Sequence, residues 1–202
     1  MPQGLSPPCA SRPATPDDIP HLAHFQVMAG DGHMEALYHD LVPGKSVTEL
    51  VARRFSFEGS TKSYRHCHVA ELGDRVVGGL HCHPFDAMAN DPSDPLVPEE
   101  RFAVVEAFDH LDFAAVGTFH INVVAVYPEF QGQGIGTFLI KAAITQAQSQ
   151  GFTKASLAVF EENAGALRLY QRHGFKEAAR HPGSRHPMVK YDGDLLMMVA
   201  RD

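Results

Sequence analysis

Apolar positions along the 202-residue chain change period several times, and each change marks an element. After Thr15-Pro16-Asp17-Asp18, a cap-like run, Ile19, Leu22, Ala23 and Phe25 fall on one helical stripe and predict a first helix, with a first strand expected over 12–15. A second helix is predicted over 47–54, with Gly30-Asp31-Gly32-His33 and Val42-Pro43-Gly44 as breakers between the two. Strands follow at 64–72 and 76–83, joined by Gly73-Asp74-Arg75 as a hairpin turn. A central strand is predicted over 118–126. Ile135, Phe138, Leu139, Ala142, Ala143 and Gln146 then give a helix that stops at Gly151. The chain closes with a strand over 153–160, a helix over 163–173 and two strands flanking a loop at 181–194, the last near 195–199. Residues 84–117 follow this alternation least: Asn90-Asp91-Pro92-Ser93-Asp94-Pro95 reads as a loop and 99–108 as an extra helix. No internal repeat is visible.

Composition narrows the class. A hydrophobic fraction of 44% with 20% charged residues is ordinary for one soluble domain with a substantial core. Residues 1–12, rich in Pro, Ser and Gly, read as a flexible tail, leaving 13–202 as the domain. No apolar run approaches the roughly 18 residues of a membrane helix, and no apolar signal core opens the chain, so a cytoplasmic location with no membrane partner is expected. A net charge of −7 without a basic stripe argues against nucleic acid and makes a cationic partner the more congenial one. Cys9, Cys67 and Cys82, few and odd in number, read as free thiols.

The chemistry is concentrated where the central strand runs into Tyr127-Pro128-Glu129-Phe130-Gln131-Gly132-Gln133-Gly134-Ile135-Gly136 and then a helix. Glycines there let backbone N–H groups converge on an anion at the positive end of the helix, which predicts a phosphate cradle. Pro128 marks where normal pairing stops, so a gap beside the strand is expected. The spacing is G-x-G-x-G, unlike the G-x-G-x-x-G dinucleotide fingerprint, and no acidic residue stands at the ribose-binding distance.

Gln131-x-x-Gly134-x-Gly136 after Val-Tyr-Pro-Glu resembles the acetyl-CoA-binding motif of the GNAT superfamily of N-acetyltransferases. Asn163-Ala164-Gly165-Ala166-Leu167-Arg168-Leu169-Tyr170-Gln171-Arg172-His173-Gly174-Phe175 resembles the family's second segment, N-x-x-A-x-x-x-Y-x-x-x-G-F. Residues 121–175 carry these motifs, and the flanks agree by pattern alone. The resemblance implies a single α/β domain with a mixed, largely antiparallel central sheet flanked by helices. It implies acetyl transfer from acetyl-CoA to an amine, on a small molecule or on a peptide or protein, by direct attack in a ternary complex. Residues 84–117 become an insertion bordering the substrate site, and a homodimer through exposed strands or that insertion is compatible with the pattern. A sensor that binds acyl-CoA without turnover is the alternative.

The resemblance also implies roles. Backbone N–H groups of Gln131, Gly132, Gln133, Gly134, Ile135, Gly136 and Thr137 hold the pyrophosphate. The edge at Val124, Ala125 and Val126 pairs with the pantetheine amides, and the Val126 N–H polarises the thioester carbonyl. Many relatives carry arginine where Gln131 stands, so the 3′-phosphate falls to Lys141, Arg168 or Arg172. Asn163 reads as a bond to the cofactor arm and, compatibly with that, as a helix cap, with Ala166 beside it. Tyr170 is either a core aromatic or the acid that protonates the thiolate, and His120 either a buried strand residue or the base. Glu106, Asp109 and Asp112 are read as attracting a cationic amine or as a solvated face.

His66-Cys67-His68 and His81-Cys82-His83 lie outside the family pattern. With 66 opposite 81, strand alternation puts all four imidazoles on one face, where a divalent metal could bind; the other register sets His66 and His68 on the face of Cys82. A histidine-rich sheet surface is the plainer reading, and no metal ligand is assigned.

Overall fold

The computed structural model describes residues 9–201. Seven strands form one sheet in the order β1-β2-β3-β4-β5-β7-β6. They are β1 Cys9–Pro13, β2 Cys67–Leu72, β3 Arg75–Pro84, β4 Phe119–Val126, β5 Lys154–Phe160, β6 Lys176–Pro182 and β7 Asp194–Arg201. Every neighbouring pair is antiparallel except β4 and β5. The helices are α1 Ile19–Ala29, α2 His33–Tyr38, α3 Val47–Phe55, α4 Glu106–Asp109, α5 Ile135–Ser149 and α6 Ala164–Arg172. This is the mixed, largely antiparallel α/β domain expected.

Two cores lie on opposite faces of the sheet. Phe25, Leu37, Tyr38, Val51 and Phe55 from α1–α3 pack on Cys67, Val69, Val123 and Ala125. Ile135, Leu139, Ile140 and Ala143 from α5 pack on Val77, Leu80, Phe119, Ile121 and Leu157. The helical stripe on α1 therefore covers one face and that on α5 the other, the burial that makes short amphipathic helices stable.

Several expectations shift. Strand β1 begins at Cys9, inside the stretch read as a flexible tail, while residues 1–8 of that tail lie outside the described residues. Between the two predicted breakers the chain forms α2, a short helix whose His33, Met34, Ala36, Leu37 and Tyr38 are all buried, so packing rather than propensity holds it. Residues 64–66 form a 3₁₀ turn ahead of β2. The helix expected over 99–108 is broken into a 3₁₀ turn at Glu99–Val104 and the single turn of α4, with another 3₁₀ turn at Asp112–Ala114. Val105 closes the first turn at ψ 0°, where an α-helix cannot continue.

The loop between β6 and β7 is strapped to the α1–α2 corner, where Lys190 N–H donates to the Asp31 carbonyl at 2.9 Å. Gly32 sits beneath the strap at φ +97°, and a Cβ there would stand 1.8 Å from the Met188 carbonyl oxygen. Gly32→Ala therefore combines a left-handed backbone with a backbone overlap, and should cost about 2 kcal/mol or more in urea unfolding. A change under about 0.5 kcal/mol, the usual range for a neutral surface site, would show that the strap yields freely.

Candidate functional site

Strand β4 carries an irregularity that shapes everything around it. His81 pairs with Val123 but Cys82 pairs with Ile121, so Asn122 is an extra residue with no partner. This bulge reverses the alternation: Phe119 and Ile121 face the α5 core before it, and Val123 and Ala125 face the α1 core after it. His120 and Asn122 consequently open on the same side as Val123.

On its other edge β4 pairs with β5 only at Phe119↔Ala155 and His120↔Ser156. Beyond His120 the two parallel strands part, leaving the β5-facing edge of β4 without a partner. Tyr127 N–H donates to Val77 on β3 at 3.0 Å, so by strand alternation the backbone groups of Val124 and Val126 point into the gap. The gap continues as a cavity of about 660 Å³, with Val124, Ala125, Val126, Gln131, Asn163, Ala166 and Tyr170 on its walls.

At the gap's end lies the glycine loop. Gly132 and Gly134 adopt φ +75° and +84°, and α5 starts directly after Gly134. The N–H groups of Gly132, Gln133, Gly134, Ile135, Gly136 and Thr137 have no acceptor among the described residues, the condition for an anion cradle at a helix N-terminus. Gly136 also serves the packing, because a Cβ there would lie 3.2 Å from Leu169 Cδ2 and its absence lets α5 and α6 approach. Gln131 departs from its expected role. Its N–H donates to the Pro128 carbonyl at 3.2 Å and its side-chain Nε2 to the Val126 carbonyl at 3.1 Å, so it braces the loop and the cradle begins at Gly132. Of the three cations considered for a 3′-phosphate, all exposed, Lys141 and Arg172 both depress the His173 imidazole and so share one patch.

Asn163 is the N-cap of α6, its Oδ1 accepting from Ala166 N–H at 3.3 Å. Its side chain also acts on the Asp31 carboxylate, whose pKa burial raises against the pull of Lys190 and Asn163. Asp31, read in the sequence only as part of a breaker, is thus a wall of the cavity held at φ 46°. Tyr170 lines the cavity next to Phe175, ring centroids 6.1 Å apart. Burial, aided by the Asp31 charge, pushes its pKa up to about 12.

The far end of the cavity holds imidazoles. His120 Nδ1 is 2.9 Å from Ser156 Oγ, which is 2.6 Å from Thr118 Oγ1, which donates to the Ala115 carbonyl at 2.7 Å. Each hydroxyl has one proton: Thr118 uses its own on Ala115 and Ser156 uses its own on Thr118, so His120 Nδ1 carries the hydrogen and Nε2 is bare. Burial, with a smaller push from His83, lowers the His120 pKa to about 3. His83 donates Nδ1–H to the Pro84 carbonyl at 3.0 Å, leaving its Nε2 bare as well. His81 is spent at both nitrogens: Nε2–H donates to the Thr61 carbonyl at 2.7 Å and Nδ1 accepts from Asn122 Nδ2 at 2.9 Å.

Around these histidines the hairpin register pairs Cys67 with His81 and His68 with Leu80, after a shift between Ala70 and Glu71. The register that would gather four strand imidazoles is therefore not the one adopted. Among the described residues no group of three or more His, Cys, Asp or Glu is arranged to hold a metal ion. Asp109 and Asp112, from the 84–117 segment, line the cavity, whereas Glu106 is exposed and takes no part in its wall. Burial, with Asp109 adding its charge, pushes the Asp112 pKa up to about 6.

The model of the acetyltransferase (GNAT) family matches residues 34–175. The chain belongs to this GNAT family. Among sequence relatives, the mycothiol acetyltransferase of Jonesia denitrificans is 39% identical over 67 residues, covering 33% of this chain and 21% of that protein. The ribosomal protein bS18-alanine N-acetyltransferase of Salmonella typhimurium is 38% identical over 76 residues, covering 38% of this chain and 51% of that protein. The chain therefore spans between about a fifth and a half of these two relatives' length. A solved acetyltransferase superposes with a TM-score of 0.67 at 23% identity, covering 95% of this chain and 98% of the other, a likeness of fold. No helix among the described residues is long and apolar enough to cross a membrane.

The hydroxyl relay in this GNAT domain predicts its own tautomer. Nitrogen NMR should find His120 neutral and Nδ1-protonated from pH 5 to 8. Ser156→Ala, which strands the His120 N–H and removes the donor to Thr118, should cost about 1–3 kcal/mol. An Nε2-protonated His120, or a neutral Ser156→Ala, would refute the relay.

Proposed function

We propose that the protein transfers the acetyl group of acetyl-CoA to an amine by direct attack in a ternary complex. The observation that carries this reading is the edge of β4 that has no strand partner at Val124 and Val126, open to a cavity that Tyr170 shares. A pantetheine arm has two amides, and laid in the gap it continues the sheet where β5 leaves it. The cradle from Gly132 to Thr137 then takes the pyrophosphate, and the Val126 N–H faces the thioester oxygen on which charge develops.

The amine nitrogen attacks the thioester carbon, the C–S bond breaks and a thiolate departs. Tyr170, protonated throughout the working range by its raised pKa, meets that sulfur as a hydrogen-bond donor and acid. The His120 role needs revision. An imidazole with its pKa lowered to about 3 stays neutral at working pH but holds a proton poorly, so it suits an acceptor that orients the amine through Nε2. Asp112, with its pKa near 6, is the better proton acceptor: ionised above that pH, it attracts the ammonium and can take its proton.

Release of CoA from acetyl-CoA, followed over a panel of amines, tests the reading. Tyr170→Phe should lower kcat by about 100-fold with the KM for acetyl-CoA little changed. The acid limb of kcat/KM should show an inflection near pH 6, because the Asp112 carboxyl, raised above its ordinary value, is inactive while protonated and active once ionised. Asp112→Asn should remove that limb. A profile flat from pH 5 to 8 in the wild-type protein would return the base role to His120, and tight acetyl-CoA binding without turnover of any amine would make the protein a sensor.

A further inference from the structure

The cavity wall also carries two cations that make no direct ion pair among the described residues. Arg54 on α3 and Lys62 in the segment before β2 both line it. The Arg54 guanidinium reaches only the Met34 thioether at 3.7 Å and the face of Tyr38, 5.9 Å from the ring centroid. The Lys62 ammonium has no hydrogen-bond or ion-pair partner among the described residues, and burial together with Arg54 lowers its pKa against the pull of Asp91 and Asp94. The two carboxylates nearest Lys62 are already engaged. Asp94 accepts from Tyr38 Oη at 2.8 Å, Arg53 Nη2 at 2.5 Å and Leu96 N–H at 3.0 Å. Asp91 accepts from the N–H and hydroxyl of Thr61. Against Arg53, Arg54 and Lys62 these leave one positive charge in excess, half-buried and facing open space, an arrangement that favours an oxyanion.

The phosphates of CoA are in the wrong place to supply it. Lys62 acts on His83, which pairs with His120 at the start of β4, whereas the glycine cradle follows Val126 at the strand's other end. Six residues of strand put these ends about 20 Å apart. The bare Nε2 atoms of His83 and His120 belong to the Lys62 end, and Asp109 and Asp112 are also on the cavity wall.

We propose that Arg54 and Lys62 form an oxyanion subsite for the acceptor, so that the amine to be acetylated belongs to a small molecule carrying its own carboxylate or phosphate. The ammonium lies toward Asp112 and His120 and the oxyanion toward Arg54 and Lys62. This adds an anionic group to the cationic acceptor suggested by net charge, because Arg54 and Lys62 stand together on the cavity wall. It rests on the acetyl-transfer reading for what becomes of the ligand, and on the cation pair alone for what holds it.

The test compares wild-type protein with Arg54→Gln, Lys62→Met and the double variant. With CoA at saturation, so that the cradle is filled, sodium phosphate and sodium succinate should each raise the Tm above a sodium chloride control of equal ionic strength. The double variant should lose that rise while keeping the shift produced by CoA itself. Removing cations that make no direct ion pair should leave the basal Tm nearly unchanged. In turnover, methionine against its decarboxylated amine and glucosamine 6-phosphate against glucosamine separate carboxylate from phosphate. The charged member of one pair should be preferred about 10-fold or more, and either single variant should erase most of that preference. Equal anion protection in wild-type and double-variant protein, or preference for the uncharged member of both pairs, would overturn the subsite. Failure of CoA to shift the Tm would instead count against acetyl transfer, and the anion comparison would still decide the cation pair.

Discussion

The parting of β4 from β5 is the constraint on which this protein depends. Two residue pairs, Phe119↔Ala155 and His120↔Ser156, hold the strands together, and past them the backbone groups of Val124 and Val126 face a gap in which only the Val126 carbonyl finds a partner, the Gln131 side chain. A sheet interior rarely leaves such groups unpaired, because each buried donor without an acceptor is costly. The fold tolerates the gap because both strands have other partners: β3 secures β4 on either side of the Asn122 bulge and β7 secures β5. The cavity, the glycine loop at its end and the placement of α6 all follow from this one divergence.

The same region explains why the histidines are neutral. Ser156, at the last pair before the strands separate, closes the relay from His120 to Thr118 and fixes which nitrogen is bare. With folded pKa values lowered to about 3, His81 and His120 stay uncharged while an unfolded chain would protonate near 6.5. Their burial therefore carries no penalty above pH 6.5, and stability is lost progressively as the pH falls from there toward 3. Asp112 runs the opposite way: its raised pKa costs stability as the pH climbs from about 4 to about 6, the range in which its carboxylate becomes available for chemistry.

Much of this was legible in the sequence because it is written in local signals. The helical stripes of α1, α3 and α5, the turn at Gly73, the Gly132–Gly136 loop and the Asn163 cap each rest on residues close together in the chain. What escaped is set by tertiary register. The bulge at Asn122 reverses faces halfway along a strand that reads as uniformly apolar, and the shift between Ala70 and Glu71 decides the histidine register, which sequence left open between two alternatives. Helix α2 hid between two glycine-rich breakers since only its burial holds it, and the 99–108 segment kept helical composition without helical geometry. Arg54 and Lys62 carried no motif; they become notable only once Asp91 and Asp94 are seen to be occupied elsewhere.

The central claim is that the open edge of β4 is completed by acetyl-CoA, and amide hydrogen exchange resolved to single residues tests it most directly. Without ligand, the Val124 and Val126 amides should exchange fast while that of Tyr127, bonded to Val77, is protected. With acetyl-CoA, Val126 and the amides from Gly132 to Thr137 should slow together and Tyr127 should not change. Val124 and Val126 exchanging equally fast with and without acetyl-CoA, while protection appears elsewhere, would contradict the account.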